Sequence, residues 1–179
     1  MAQRDINYKE NIFHIAYDIV NPSKEDSMVI LHGWGSNKEI MKQAFAKQMS
    51  ELKHIYIDMP GFGKSTNPIV LTTDDYANIL EIFLADIGIK PFFIAGHSFG
   101  GKVATLLNPP CLILLSSAGI LVPKPLNVRA KITIFKLLKP LGFGKMRRVF
   151  ASRDVEGMSH EMYETFKNVV NEDFSKQFE

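Results

Sequence analysis

The sequence predicts an α/β fold: a mostly parallel sheet with helices on both faces, followed by a helical cap. Three observations carry this expectation. Apolar runs alternate with segments of helical spacing from Met28 to Ser117. The runs "MVILHG" (28–33) and "FFIAG" (92–96) are continuously apolar and end in glycine, as strands buried on both faces do. After Gly119 the alternation stops, and only helix-like segments follow, broken at Pro140 and Gly142.

Taken in order, "IFHIAYDIV" (12–20) alternates as a strand and "PSKED" (22–26) is a turn. The strand at 28–33 leads to a helix predicted over 36–52, with Ile40, Met41, Ala44, Phe45 and Met49 on its apolar face and Ser36 or Asn37 as cap. "HIYID" (54–58) is the next strand, followed by the glycine-rich loop "MPGFGKS". A helix over 72–89 repeats Tyr76, Ile79, Leu80, Phe83 and Leu84. The strand at 92–96 feeds a short helix from Phe99, stopped by Asn108-Pro109-Pro110. "CLILLSS" opens the longest apolar run (111–122), which reads as a core strand. Residues 1–119 are expected to form the core and 120–179 the cap.

With 179 residues, 46% apolar and 22% charged, the chain is globular and suits one domain. A single cysteine, Cys111, excludes a disulfide framework and fits a reducing, cytoplasmic compartment. No Cys/His spacing suggests zinc, so neither a metal nor another cofactor is expected. "MAQRDINYKENIF" holds no apolar stretch of signal-peptide length, and the run at 111–122 is too short to span a bilayer. Net charge is +2, but residues 87–153 hold bases and no acid, while the tail beyond is acidic. That block reads as a solvated basic face, with an acidic substrate or anionic partner as the alternative; no nucleic-acid partner is expected.

The chemistry is concentrated in "FFIAGHSFGGKVA" (92–104). Gly96-His97-Ser98-Phe99-Gly100 is a G-x-S-x-G pentapeptide placed where a strand turns sharply into a helix. Such a turn needs small residues, because the serine backbone is strained and neighbouring chain passes close. It lifts Ser98 above the carboxyl ends of the strands, with a helix N-terminus behind it for a developing oxyanion. "LHGWG" (31–35), at the end of the preceding core strand, is placed to bring a second backbone N–H.

These motifs, "HGWG" (32–35), "DMPGFGKS" (58–65) and "GHSFGG" (96–101), resemble the α/β-hydrolase family in order and spacing. Their wording is similar to small-ester carboxylesterases and to the hydrolases that cut a C–C bond beside a ketone. The resemblance implies Ser98 as nucleophile, with Trp34 and Phe99 donating oxyanion-hole N–H groups. It implies supporting, loop-shaping roles for His32, Gly33, Asp58, Gly96, His97 and Gly100. The implied substrate is a small carbonyl compound. The stretch from Ser98 to the next strand is shorter than the family's, so a stubby helix and a less well supported elbow are expected.

The family's triad runs serine, acid, histidine. Of five histidines only His160 lies downstream of the motif, in a helix-like segment, and the nearest acid is Asp154. Neither matches the loop positions that the resemblance implies. The expectation is a chain lacking the family's final strands, acid and histidine, with an incomplete sheet edge open to self-association. The alternative is a non-catalytic binding protein on the same fold. The basic segment "VRAKITIFKLLKPLGFGKMRRVF" is expected to be a lid rather than a membrane-surface helix.

Overall fold

The computed structural model describes residues 1–121 and 158–178. Six strands form one sheet in the order β1-β2-β4-β3-β5-β6. These are β1 (Ala2–Tyr8), β2 (Asn11–Val20), β3 (Ser27–Leu31), β4 (Lys53–Ile57), β5 (Phe93–His97) and β6 (Cys111–Leu115). β1 and β2 form an antiparallel hairpin whose second strand joins β4; β4, β3, β5 and β6 run parallel. The central strand β3 is buried at all positions, which explains its uninterrupted apolar sequence.

Helices cover both faces. On one face α2 (Thr73–Asp86) and α3 (Phe99–Leu106) bury Tyr76, Leu80, Phe83, Phe99 and Val103 against Val29, Leu31, Ile55, Ile57 and Ile94. On the other, α1 (Lys38–Phe45) seats Met41 on Met28, Ile30 and Tyr56. A further helix, α4 (His160–Asn171), adds Met162 and Val169 to the larger core. Asn37 caps α1 through its side chain. Thr72 and Asp75 form a reciprocal capping box on α2.

Four sequence expectations are corrected. β1 was not foreseen, because only Ile6 of its seven residues is buried and no alternation shows. The helix expected to reach residue 52 stops at Phe45; Met49 takes a left-handed φ of 46°, and Ile40 and Met49 point outward. The run from Cys111 supplies an edge strand rather than a core one. Among the described residues β6 pairs only with β5, and Leu112 and Leu114 are 37% and 41% exposed. Lys102, counted with the basic face, is buried.

Most of the expected cap, including Asp154 and the basic segment, lies outside the described residues. Among the described residues no helix is long and apolar enough to cross a membrane.

Candidate active site

β5 ends at His97, and the chain turns directly into α3 at Phe99. Between them Ser98 has φ 51° and ψ −115°, a region that L-residues seldom occupy. The turn is held from both sides. Ser98 N–H donates to Leu115 O at the end of β6, and Ser98 O accepts from Gly101 N–H and Ala118 N–H. A Cβ on Gly96 would collide with the Gly100 carbonyl, and one on Gly100 would lie 2.5 Å from His32 O. The helix behind the elbow is short, at eight residues.

Its support comes from buried neighbours. Phe99 packs edge-on against Tyr76 of α2, and Lys102 Nζ donates to Val169 O (2.6 Å) and Glu172 Oε2 (3.2 Å). Burial pushes the Lys102 pKa down, and Glu172 only partly offsets this.

The loop after β3 lies against this elbow. A Cβ on Gly33 would sit 2.9 Å from the His97 ring and 3.2 Å from Ser98 Cβ, so a side chain there would have to displace the imidazole. The Trp34 ring packs on Phe99 (5.4 Å between centroids), Phe62 (4.8 Å) and Phe166 of α4 (5.3 Å). Phe99 is the first residue of α3, so its N–H has no acceptor within the helix. Among the described residues no acceptor takes the Trp34 N–H either. The backbone thus leaves donors of adjoining segments unspent near Ser98.

His32 ties this loop to the next. It is fully buried, its Nδ1–H donates to Gly33 O (2.8 Å), and its Nε2 accepts from Met59 N–H (3.0 Å). These partners assign a neutral tautomer, and burial pushes its pKa down. Asp58 then holds the glycine-rich loop, accepting from Lys38 N–H (2.7 Å) and Lys64 N–H (3.0 Å).

Among the described residues no base stands beside Ser98. Among the described residues no side chain bonds its hydroxyl. His54 is engaged by Tyr56 and Met49 O, and His14 pairs with Asp5 on the distant β1–β2 hairpin. His97 is exposed beside Gly33, and His160 is exposed at the start of α4. No cluster of His, Cys, Asp and Glu suited to a metal occurs among the described residues. Sequence reasoning missed Lys38, Lys102 and Asn67, which look like surface residues until neighbouring elements close over them.

The model of the α/β-hydrolase fold matches residues 26–108, from β3 to the end of α3. Over those residues, somewhat under half of the chain, it matches the α/β-hydrolase family, and its sheet has that family's fold. It is 31% identical over 107 residues to the pimeloyl-[acyl-carrier protein] methyl ester esterase of Proteus mirabilis, covering 60% of this chain and 35% of that protein. It is 28% identical over 95 residues to the 2-succinyl-6-hydroxy-2,4-cyclohexadiene-1-carboxylate synthase of Escherichia coli, covering 53% and 36%. These matches thus span about a third of the curated relatives' lengths. Among solved structures, the esterase EaEST from Exiguobacterium antarcticum superposes with a TM-score of 0.65 at 22% identity, covering 97% of this chain and 75% of that one. The chain therefore shares the fold of known esterases.

Proposed function

We propose that this chain carries the nucleophile and oxyanion-hole portion of a serine hydrolase acting on a carboxylic ester. Ser98 is the nucleophile, and the Trp34 and Phe99 N–H groups receive the oxyanion. The observation that carries the reading is Ser98's positive φ at a strand-to-helix turn, with Gly33 packed on its Cβ. His32, Gly33, His97, Gly96, Gly100 and Asp58 shape that corner. Ester cleavage is favoured over C–C cleavage because the methyl ester esterases match at 31–40% identity. The residues described supply no general base, so Ser98 is expected to be a slow nucleophile in this chain. α4 is read as part of a cap over the site, and no cofactor is assigned.

The test is labelling with a fluorophosphonate and turnover of p-nitrophenyl acetate. Slow labelling lost in Ser98→Ala and kept in His160→Ala supports the proposal. Labelling that survives Ser98→Ala overturns it. Loss in both variants assigns His160 as the base.

The edge of β6 is proposed to pair with β6 of a second copy. "CLILL" carries no charge or proline to guard its open side, and Leu112 and Leu114 are exposed. Light scattering showing a monomer at all accessible concentrations would remove this reading.

A further inference from the structure

Beside Ser98 lies a layer whose two sides do not match chemically. Its floor is built from the loops after β3 and β4: Trp34, Phe62 and Asn67. Its roof is the inner face of α4, with Met162 and Phe166 one turn apart. Trp34 meets Phe166 at a tilt of 50°, and Asn67 Nδ2 reaches Met162 Sδ at 3.2 Å. Two buried side-chain atoms in this layer, Trp34 Nε1 and Asn67 Oδ1, have no hydrogen-bond partner among the described residues.

A donor or acceptor buried without a partner costs about 1–3 kcal/mol, and native structures hold few of them. Here one orphaned donor and one orphaned acceptor share a single layer. The remaining polar contact, to a thioether, is a weak one. The roof answers with sulfur and a phenyl ring, which satisfy neither atom. The floor is therefore equipped for a polar group that α4 does not supply. The rings of Phe62, Phe99 and Phe166 around Trp34 suit an apolar chain beside that group.

We propose that Trp34 Nε1 and Asn67 Oδ1 bind a secondary amide of the substrate of Ser98. The indole N–H donates to the amide carbonyl, and Asn67 Oδ1 accepts the amide N–H. The substrate class is an ester carrying a secondary amide next to an aliphatic chain, admitted when Met162 and Phe166 re-seat on that chain. The assignment rests on the reading of Ser98 as nucleophile.

Trp34 is the sole tryptophan, so its emission reports this layer directly. The experiment titrates the full chain with N-hexanoylglycine methyl ester and with methyl octanoate, which lacks the amide. The expected result is a saturable change in Trp34 emission, with the amide ester binding about tenfold tighter. In Asn67→Leu that preference is expected to fall to about twofold or less. Equal binding of the two esters, no saturable change with either, or a preference kept in a folded Asn67→Leu overturns the proposal. The wild-type ligand pair decides the question even where the variant does not fold. Fluorophosphonate labelling of Ser98 on the same samples separates the readings. An amide preference without Ser98 labelling leaves the subsite standing and removes the nucleophile.

Discussion

Two lysines, each 2% exposed, brace opposite sides of the candidate site, and they are set up differently. Lys38 Nζ lies among three carboxylates: Glu39 at 2.7 Å, Asp18 at 3.7 Å and Asp58 at 3.8 Å. Burial opposes its charge, but the Glu39 hydrogen bond and the fields of Asp58 and Asp18 outweigh it and raise the pKa. Lys102 has one carboxylate, Glu172, together with two backbone carbonyls and the face of Phe174 at 4.4 Å. There burial wins and the pKa falls. Lys38 is a fixed anchor for the loops after β3 and β4. Lys102 is a weaker clasp joining the elbow helix to the end of α4, and Glu172 extends it to the Thr73 hydroxyl at the start of α2. The difference teaches that a lysine's state follows from the balance between its burial and the carboxylates that face it.

The sharpest way to break the contrast is Lys38→Met. It leaves Asp18 and Asp58 buried without their shared cation and is expected to cost about 3–5 kcal/mol in urea denaturation. Next comes acid titration of Asp18. Burial would raise its pKa, but Lys42 at 2.6 Å, the chain's amino group and Lys38 bring it to about 2. A depressed carboxylate stabilises the fold above its unfolded value, so roughly 2 kcal/mol should be lost as pH falls from about 4 to 2. Asp18→Asn should flatten that slope.

Lys102→Met is expected to cost less, about 1–3 kcal/mol, because Glu172 is 26% exposed and rehydrates. Hydrogen exchange should speed up in α4 and, beyond the first turn that Glu172 reaches, leave α2 unchanged; equal acceleration along both helices would refute the local clasp. At alkaline pH the two lysines act with opposite sign. Lys38, with its raised pKa, loses stabilisation as pH climbs past its ordinary value. Lys102 gains between its depressed value and the ordinary one, where the unfolded chain binds more protons. Wild-type stability should therefore rise with pH up to the ordinary lysine value and fall beyond it; Lys102→Met should lose the rise and Lys38→Met the fall. The smallest effect on stability, within about 0.5 kcal/mol, is expected for Leu112→Lys on the open edge. The same change should abolish any dimer seen by light scattering.

The parallel strands and α2 were legible because continuous apolar runs and a capping box are local signals. β1 was not, since its partner β2 supplies the order that its own residues do not advertise. The site divides the same way. The G-x-S-x-G turn and the glycine at 33 are written in short motifs, whereas Lys38 and Lys102 acquire their character only when Asp18, Asp58 and Glu172 arrive from elsewhere in the chain. The helix expected to reach residue 52 ends at Phe45; Ile40 and Met49 of its apolar pattern are exposed, and Met49 takes a left-handed φ.

The strained turn has a consequence for the order of assembly. Among the described residues the turn bonds that fix Ser98 come from Gly101, Leu115 and Ala118, all within 20 residues along the chain. The β5–α3–β6 unit that contains them closes short loops, which form early and at low entropic cost. A ribosome releasing this sequence would thus have the reactive corner folded before α4 emerged to roof it. Pulse-labelled exchange should find the Ser98 and Ala118 amides protected in one phase, ahead of those in α4.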